Sequence, residues 1–180
     1  MKSHEFDPLR LDLAAFAAEG AELSGTWPLE ELPRLAASAH PGAPTAGEAL
    51  HWSARGESRP RRGGPPDTWL HLRLATRLHL ECQRCLQPVE TLLELERWLR
   101  FVPGEEEAAA LDADSEDDVL ALPRWLDLRE LAEDELLLAL PIVPRHEQCP
   151  QPLPSATGDD EVPAENPFAA LQALKTGGQH

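Results

Sequence analysis

The chain has 180 residues and a mass of 19.8 kDa, which suits one domain with or without tails and excludes a large multi-domain assembly. Apolar residues make up 42%, enough for a core, while 18 prolines and 11 glycines leave room for unfolded stretches. The formal net charge of -16 opposes contact with phosphate or anionic lipid over the molecule as a whole, which excludes a protein that coats polyanions non-specifically.

The first fifty-five residues contain two weak strand patterns separated by a helical one. Apolar and polar residues alternate over 21–27 and again over 50–55, which predicts two half-buried strands. Between them, residues 30–39 carry apolar side chains at helical spacing, so a short connecting helix is expected there.

The strongest pattern in the chain is a pair of long alternating runs. Residues 70–82 are apolar at every even position except Thr76, and residues 89–101 are apolar at most odd positions. The link between the runs is short, so the two strands are predicted to pair antiparallel as a hairpin. This hairpin would carry Cys82 and Cys85 at its tip.

Two polar segments predict loops. Residues 56–67 combine Gly, Pro and Arg, which predicts a flexible link between two strands. Residues 105–118 contain eight acidic side chains and no basic one, so we expect a solvated, extended acidic loop over 104–122. The alternative is that this acidic loop imitates a nucleic acid and covers the basic residues when no RNA is bound.

The C-terminal third predicts two helices joined by a linker. Asp127 is placed to cap a helix that continues as far as Pro141. Residues 150–165 are expected to be a Pro-rich acidic linker, and residues 166–180 a short helix and tail. The prediction is therefore one α+β domain over 1–149: an antiparallel sheet or partial barrel with a long central hairpin, flanking helices and disordered acidic and Pro-rich segments.

The basic side chains are concentrated in one part of the chain. Residues 51–80 have a local charge of +4, whereas residues 101–180 have a charge of -14. Direct contact with RNA would therefore have to be local, through a confined cationic strip. The candidate RNA contacts are Arg55, Arg59, Arg61, Arg62, Arg73, Arg77 and Arg84.

The alternation also predicts which tryptophans and histidines lie on the apolar side of a strand and which lie on its polar side. Trp27 and Trp52 alternate on the same side of their strands as the apolar residues and are predicted to lie in the core. Trp69 and Trp98 fall on the polar side and are candidates for base stacking. His71, on the polar face of its strand, is expected to be solvated, with RNA contact as the alternative.

Two pairs of soft ligands suggest a metal site. Cys82-x-x-Cys85 is followed sixty residues later by His146-x-x-Cys149, and tetrahedral zinc prefers such sets. One structural zinc ion would clip the Pro-rich tail to the sheet. The alternative is that Cys82 packs inward and the other cysteines are incidental thiols. A thioredoxin-like redox pair is disfavoured because no helix begins at this pair.

The remaining features favour no enzyme and no membrane. There is no phosphate-binding glycine loop and no nucleophile motif, and we expect no small-molecule substrate. No apolar run reaches the roughly 18–20 residues that span a bilayer, and the first residues lack the apolar stretch of a secretion signal. Three cysteines fit a reducing compartment, so the expected location is the cytoplasm.

Three blocks, in this order and spacing, carry a family resemblance. They are the Cys82-Gln83-Arg84-Cys85 hairpin tip, the acidic helix that ends in Leu140-Pro141-Ile142-Val143-Pro144, and the terminal Asn166-Pro167-Phe168-Ala169 segment. Together they resemble the YceD-type large ribosomal RNA subunit accumulation proteins. The resemblance implies a role in the synthesis, processing or stability of 23S ribosomal RNA and in assembly of the large ribosomal subunit, without catalysis.

Two hypotheses follow from these observations, with a weaker third. The first is a non-enzymatic ribosome biogenesis factor that acts on 23S rRNA or a large-subunit precursor, directly or through a ribosomal protein. The second is an acidic adaptor or chaperone for a basic ribosomal protein, with residues 127–140 and the terminal helix as docking surfaces. The third is a zinc-dependent hydrolase, which needs an open metal position.

Overall fold

The computed structural model describes residues 5–43, 48–61 and 63–150, which contain an open five-stranded sheet with flanking helices. The strands lie across the sheet in chain order; the first four pair antiparallel, and the fifth pairs parallel to the fourth. The α+β prediction is confirmed, but an all-antiparallel sheet is wrong for the last strand. The elements are β1 (Glu22–Pro28), β2 (Ala49–Arg59), β3 (Asp67–Glu81), β4 (Pro88–Val102), β5 (Asp118–Ala121), α1 (Leu13–Ala18), α2 (Pro33–Ala37), α3 (Glu105–Asp112) and α4 (Leu128–Leu138), with a 3-10 turn at Leu29–Glu31.

The predicted central hairpin is confirmed. Strands β3 and β4 have 15 residues each, and their register runs from Thr68 opposite Phe101 to Glu81 opposite Pro88. Because side chains alternate between the two faces of a strand, one face of this hairpin is apolar and the other polar. The hairpin therefore separates a core face from an outer face of the sheet.

The core lies between the apolar face of the sheet and helices α1, α2 and α4. The five leucines at even positions of β3 are at most 4% exposed. Trp27 and Trp52 stack with ring centroids 4.4 Å apart, which confirms their predicted place in the core. The residues that the helices contribute to this core include Leu13 and Phe16 from α1, Leu35 from α2, and Leu128 and Leu136 from α4.

Helix α1 was not predicted from the sequence, and it packs closely against β2. Asp12 accepts a hydrogen bond from the N–H of Ala15 at 3.0 Å and so caps the first turn. A Cβ atom at Gly56 would lie 2.7 Å from Cα of Ala17 and from Cδ1 of Phe16. The missing side chain at this glycine therefore allows the helix to approach the strand.

The predicted acidic loop over 104–122 is wrong, because the segment forms α3 and β5. Three glutamates in the first turn of α3 suit the positive end of the helix dipole, and three alanines follow with the highest helix propensity. Ala108 and Val102 are buried in a small second apolar cluster, which attaches α3 to the sheet. Charge density alone does not keep this segment extended.

The other predicted loop is shorter than expected. Strand β2 continues to Arg59 and β3 begins at Asp67, so the flexible loop predicted over 56–67 is wrong at both ends. The link consists of residues 60–66. Arg59, which was predicted to lie in this loop, is therefore a strand residue, whereas Arg55 lies in the strand that was predicted for it.

The two predicted interior helices are confirmed with shorter bounds. The helix expected over 30–39 is divided into the 3-10 turn and α2. The carboxylate of Asp127 accepts hydrogen bonds from the N–H groups of Arg129 and Glu130, at 2.9 and 3.0 Å, and α4 begins there as predicted. The helix ends at Leu138, before Pro141.

Residues 151–180 lie outside the described ranges. The predicted linker at 150–165, the helix and tail at 166–180 and the domain boundary at 149 therefore stay predictions. None of the described helices has the length and apolar character needed to cross a membrane.

Candidate metal centre and the charged outer face

The tip of the central hairpin forms a tight turn around its two cysteines. The N–H of Cys82 donates to the carbonyl of Gln87 at 3.0 Å, and the N–H of Leu86 donates to the carbonyl of Cys82 at 2.8 Å. Leu86 has a φ of 57°, in the left-handed region that costs a residue with a Cβ about 1–2 kcal/mol. Cys82 and Cys85 are both buried, at 0% and 5% exposed, so the turn directs the two thiols inward.

The segment after α4 folds back onto this tip. The N–H of Gln83 donates to the carbonyl of Pro144 at 2.9 Å. The guanidinium of Arg84 donates to the carbonyl of His146 and, at 3.1 Å, to that of Glu147. These main-chain contacts place the second predicted ligand pair beside the first.

The four predicted metal ligands converge. The sulfurs of Cys82, Cys85 and Cys149 and a ring nitrogen of His146 all lie within 4.8 Å of one another. The Cys82 and Cys149 sulfurs are 3.9 Å apart, and the Cys85 sulfur is 3.5 Å from Nδ1 of His146. Tetrahedral zinc, with Zn–S bonds of about 2.3 Å, requires sulfur–sulfur separations of about 3.8 Å, so the spacing fits this metal.

The second ring nitrogen of His146 fixes its tautomer. Nε2 lies 3.1 Å from the carbonyl oxygen of Pro88, which can only accept a hydrogen bond. Nε2 therefore carries the proton, and the lone pair of Nδ1 points toward Cys85. Histidine ligands of metals typically donate their other N–H in this way.

The thiols of the set differ in acidity. Burial alone would raise the pKa of Cys82, but backbone N–H groups of Arg84, His146 and Cys85 donate to its sulfur and lower the pKa to about 5. Burial, followed by hydrogen bonds to its two cysteine neighbours, raises the pKa of Cys149 to about 11. The set thus combines a ready thiolate ligand with a thiol whose proton a bound metal would displace.

Four of the predicted RNA contacts lie together on the outer face of the sheet. Arg55 and Arg59 are in β2, and Arg73 and Arg77 are in β3, at the positions that alternate with core residues. These four arginines share one face of the sheet but are spread along it, since Arg59 pairs with Asp67 and Arg77 lies ten residues further along β3.

Carboxylates from the neighbouring strand neutralise much of this strip. Nη2 of Arg73 lies 2.9 Å from Glu96, and Nη1 of Arg77 lies 3.6 Å from Glu90. Hydrogen bonds, the first of them from Arg73, hold the pKa of Glu96 below its usual value. Arg55 forms no salt bridge within the described residues.

The other predicted RNA contacts have different positions. Nη1 of Arg61 lies 2.6 Å from Glu107 of α3 and 3.6 Å from Asp67. The hydrogen bond to Glu107 raises the pKa of Arg61 above its already high value. The acidic segment 104–122 thus contacts one of the predicted RNA-binding arginines through the Arg61–Glu107 pair. Arg84 is at the candidate metal centre, and Arg62 lies outside the described residues.

The two tryptophans predicted as stacking surfaces contact other groups of the protein. The guanidinium of Arg59 lies 4.1 Å from the ring centroid of Trp69 and 4.4 Å from that of Trp98. His71 stacks on Trp98 at 4.2 Å with the ring planes 4° apart. Trp69 lies on the polar side of β3 as predicted, but it is only 7% exposed, so little of its ring is available for stacking on a base. The expected solvation of His71 is wrong, since its Nε2 lies 2.7 Å from Glu96 and its side chain is 13% exposed.

The contacts of Arg84 and Pro88 at the candidate metal centre were not predicted from the sequence. Arg84 ties the returning tail to the hairpin, and the carbonyl of Pro88 orients His146. Both contacts use a main-chain oxygen, which every residue type has. No sequence signal could therefore have identified them.

Comparisons with known proteins place the chain in a family. A family model described as "Large ribosomal RNA subunit accumulation protein YceD" matches residues 70–175. A Haemophilus influenzae protein of that name is 35% identical over 102 residues, which are 53% of this chain and 59% of that protein. The chain therefore matches about three fifths of the length of this curated relative. No solved structure matches.

Because the family model covers more than half of the chain, including all four candidate metal ligands, the chain belongs to the YceD family of large ribosomal RNA subunit accumulation proteins.

Proposed function

We propose that this chain is a non-enzymatic factor that supports the synthesis, processing or stability of 23S ribosomal RNA and thereby the accumulation of the large ribosomal subunit. The family match over residues 70–175 carries this proposal. The name of the Haemophilus influenzae relative supports it.

Deleting the gene for this chain in its source organism should lower the amount of 23S rRNA relative to 16S rRNA. Precursor particles that fail to mature leave their RNA exposed to nucleases, so the loss should be specific to the large subunit. Quantitative reverse transcription and sucrose-gradient profiles measure it. The full chain expressed from a plasmid should restore the ratio, whereas an unchanged ratio in the deletion strain would contradict the proposal.

A structural zinc ion at Cys82, Cys85, His146 and Cys149 is part of the same proposal. The convergence of the four donor atoms and the tautomer of His146 support it. When bound, zinc would supply a cross-link between the hairpin tip and the tail. Four protein ligands fill a tetrahedral site and leave no position for a reacting water, which argues against a zinc hydrolase.

The more favoured route to the ribosomal precursor is through a basic ribosomal protein. Four of the candidate RNA contacts form salt bridges with carboxylates, and phosphate would have to displace these partners. They are Arg59, Arg61, Arg73 and Arg77. The net charge of -16 also repels RNA and attracts a cationic protein.

A salt titration separates the two routes. In filter binding with a 23S rRNA fragment, we expect at most a shallow change in affinity between about 50 and 200 mM salt, because few guanidinium groups are available to phosphate. Arg55→Glu, at the arginine without a salt bridge in the described structure, should change this weak binding little. A steep inverse salt dependence that Arg55→Glu reduces would instead support direct RNA contact.

A further inference from the structure

A groove opens where the core face of the sheet meets the C-terminal half of α4. It has a volume of about 300 Å³ and lies between β4, β5, α4 and the C-terminal end of α3. Leu120 is opposite Phe101 in the register, so it points to the same face of the sheet as the core. Leu136 of α4 is fully buried in that core, but Leu138 is 81% exposed and Leu120 is 37% exposed. Leu99, which also lines the groove, is fully buried, so the exposed apolar surface here is that of Leu120 and Leu138 at the edge of the core.

The apolar surface continues beyond the end of the helix. Ile142 is 99% exposed and Val143 is 56% exposed, and both lie between Pro141 and Pro144. Proline fixes its own φ and favours an extended residue before it, which limits the conformations of this segment. Its two ends are tied down, by α4 on one side and by the contacts with the hairpin tip on the other. Exposed apolar groups held in place are typical of a protein interaction surface.

The charges that border the groove are mainly negative. Asp112, Asp118 and Glu135 line it, with Arg97 as the one cation among the lining residues. Arg97 is already occupied, since its Nε lies 3.6 Å from Glu135. Burial raises the pKa of Glu135, although Arg97 partly offsets this effect. A further cation that enters the groove would therefore stabilise the ionised form of these carboxylates.

The exposed apolar side chains and the acids of the groove together indicate what kind of segment would bind there. Lysine and arginine side chains pack their aliphatic stems on apolar surface and keep the charged end near carboxylates. A segment that alternates such residues with apolar ones would cover Leu120 and Leu138 and face the three acids at once. We propose that the groove between β5 and α4 binds a basic, partly apolar segment of a partner protein. This inference rests on the proposed function, which supplies the class of partner, a basic protein of the large ribosomal subunit.

The first test measures binding of ribosomal proteins to groove variants of the full chain. The probe is the set of RNA-free proteins extracted from large ribosomal subunits, each purified and titrated by fluorescence anisotropy. We expect a basic member of the set to bind the wild-type chain, and to bind a Leu138→Ser, Asp118→Lys double variant at least about tenfold more weakly. Both residues are exposed, so the double variant should fold normally.

The control variant makes the corresponding changes, a leucine to serine and an acid to lysine, on the opposite face of the sheet. Leu92→Ser with Glu94→Lys alters an exposed leucine and an exposed acid of β4 that lie opposite Arg77 and Ala75. Its affinity should stay within about twofold of wild type, because it leaves the groove unchanged. Equal affinities of the groove variant and wild type, or the absence of any binding member, would overturn the inference.

A second measurement asks whether the chain fills its own groove. Residues 166–175 contain apolar side chains and are the alternative occupant. If they bind there, Leu171→Ser in the full chain would shift the methyl NMR signals of Leu120 and Leu138 without any partner. Such shifts would overturn the proposal, and unchanged signals support an external occupant.

The deletion strain separates failure of this inference from failure of the proposed function. If the wild-type chain restores 23S rRNA and the groove variant does so equally, the function stands and the groove inference is wrong. If only the groove variant fails to restore 23S rRNA, both are supported. If the wild-type chain itself restores nothing, the proposed function is wrong, and the binding titration alone decides whether the groove takes a basic partner.

Discussion

Replacing Cys149 with serine is expected to remove one zinc ion per chain and to lower the free energy of unfolding by about 2–4 kcal/mol. A ligand present at roughly 100 to 1,000 times its Kd stabilises the state that binds it by this amount. Serine has about the right size but provides no thiolate, so the site would keep three donors. Elemental analysis of the purified chain measures the zinc, and urea denaturation measures the stability.

The effect should be local to the hairpin tip and the returning tail. The amide of Gln83, which donates to Pro144, should exchange its hydrogen faster in the Cys149→Ser variant and in wild-type protein treated with a chelator. Gln148→Ser, at the neighbouring exposed position, is the matched control and should keep both zinc and stability. Wild-type protein that takes up no zinc when the metal is supplied would contradict the assignment.

The strands were predictable because the alternation of apolar and polar residues can be read over a few neighbouring positions. The alternation over β3 and β4 fixes which side chains share a face, and a short turn allows only an antiparallel pair. The same reasoning extends to the register: once Glu81 is placed opposite Pro88, Arg73 must lie opposite Glu96. The pairing of Arg73 with Glu96 therefore follows from the hairpin register, which the sequence predicts.

The acidic segment 104–122 shows that charge density alone does not predict secondary structure. Eight acids predict a solvated loop, but the run Glu107-Ala108-Ala109-Ala110-Leu111 has high helix propensity, and Gly104 allows the sharp entry with a φ of 81°. Helix formation then places Ala108 against the sheet. Propensity and local packing outweigh the repulsion between like charges, which water screens at an exposed surface.

The candidate metal centre was partly predictable. Residue types and spacing were enough to select the four candidate ligands, and the structure brings them together. The contacts that hold the tail in place were not predictable, because Pro144, His146 and Glu147 accept hydrogen bonds through main-chain oxygens. The groove was equally hidden, since it depends on where α4 ends relative to β5.

One buried carboxylate of α4 has a structural role that the sequence did not reveal. Glu133 belongs to an acidic run that reads as a solvated helix face, yet its side chain is only 6% exposed. Its Oε1 accepts the N–H groups of Arg34 at 2.7 Å and Leu35 at 3.0 Å, and its Oε2 lies 2.9 Å from Nε of Arg34. Helix α2 has no side-chain cap of its own, since Leu32 occupies that position. Glu133 therefore caps α2 from a different helix.

Replacing Glu133 with leucine should lower the free energy of unfolding by about 2–4 kcal/mol, because two backbone N–H groups at the start of α2 lose their acceptor in a buried place. Glu133→Gln keeps one acceptor oxygen and should cost less than the leucine variant. Asp134→Ala is the matched control: this carboxylate lies 2.5 Å from Nη1 of the same Arg34 but is 50% exposed, and such surface pairs contribute about 1 kcal/mol or less. Urea denaturation of the three variants measures the differences. If Glu133→Leu costs no more than Asp134→Ala, the carboxylate does not anchor α2 to α4, and the apolar contacts around Leu35 alone hold the two helices together.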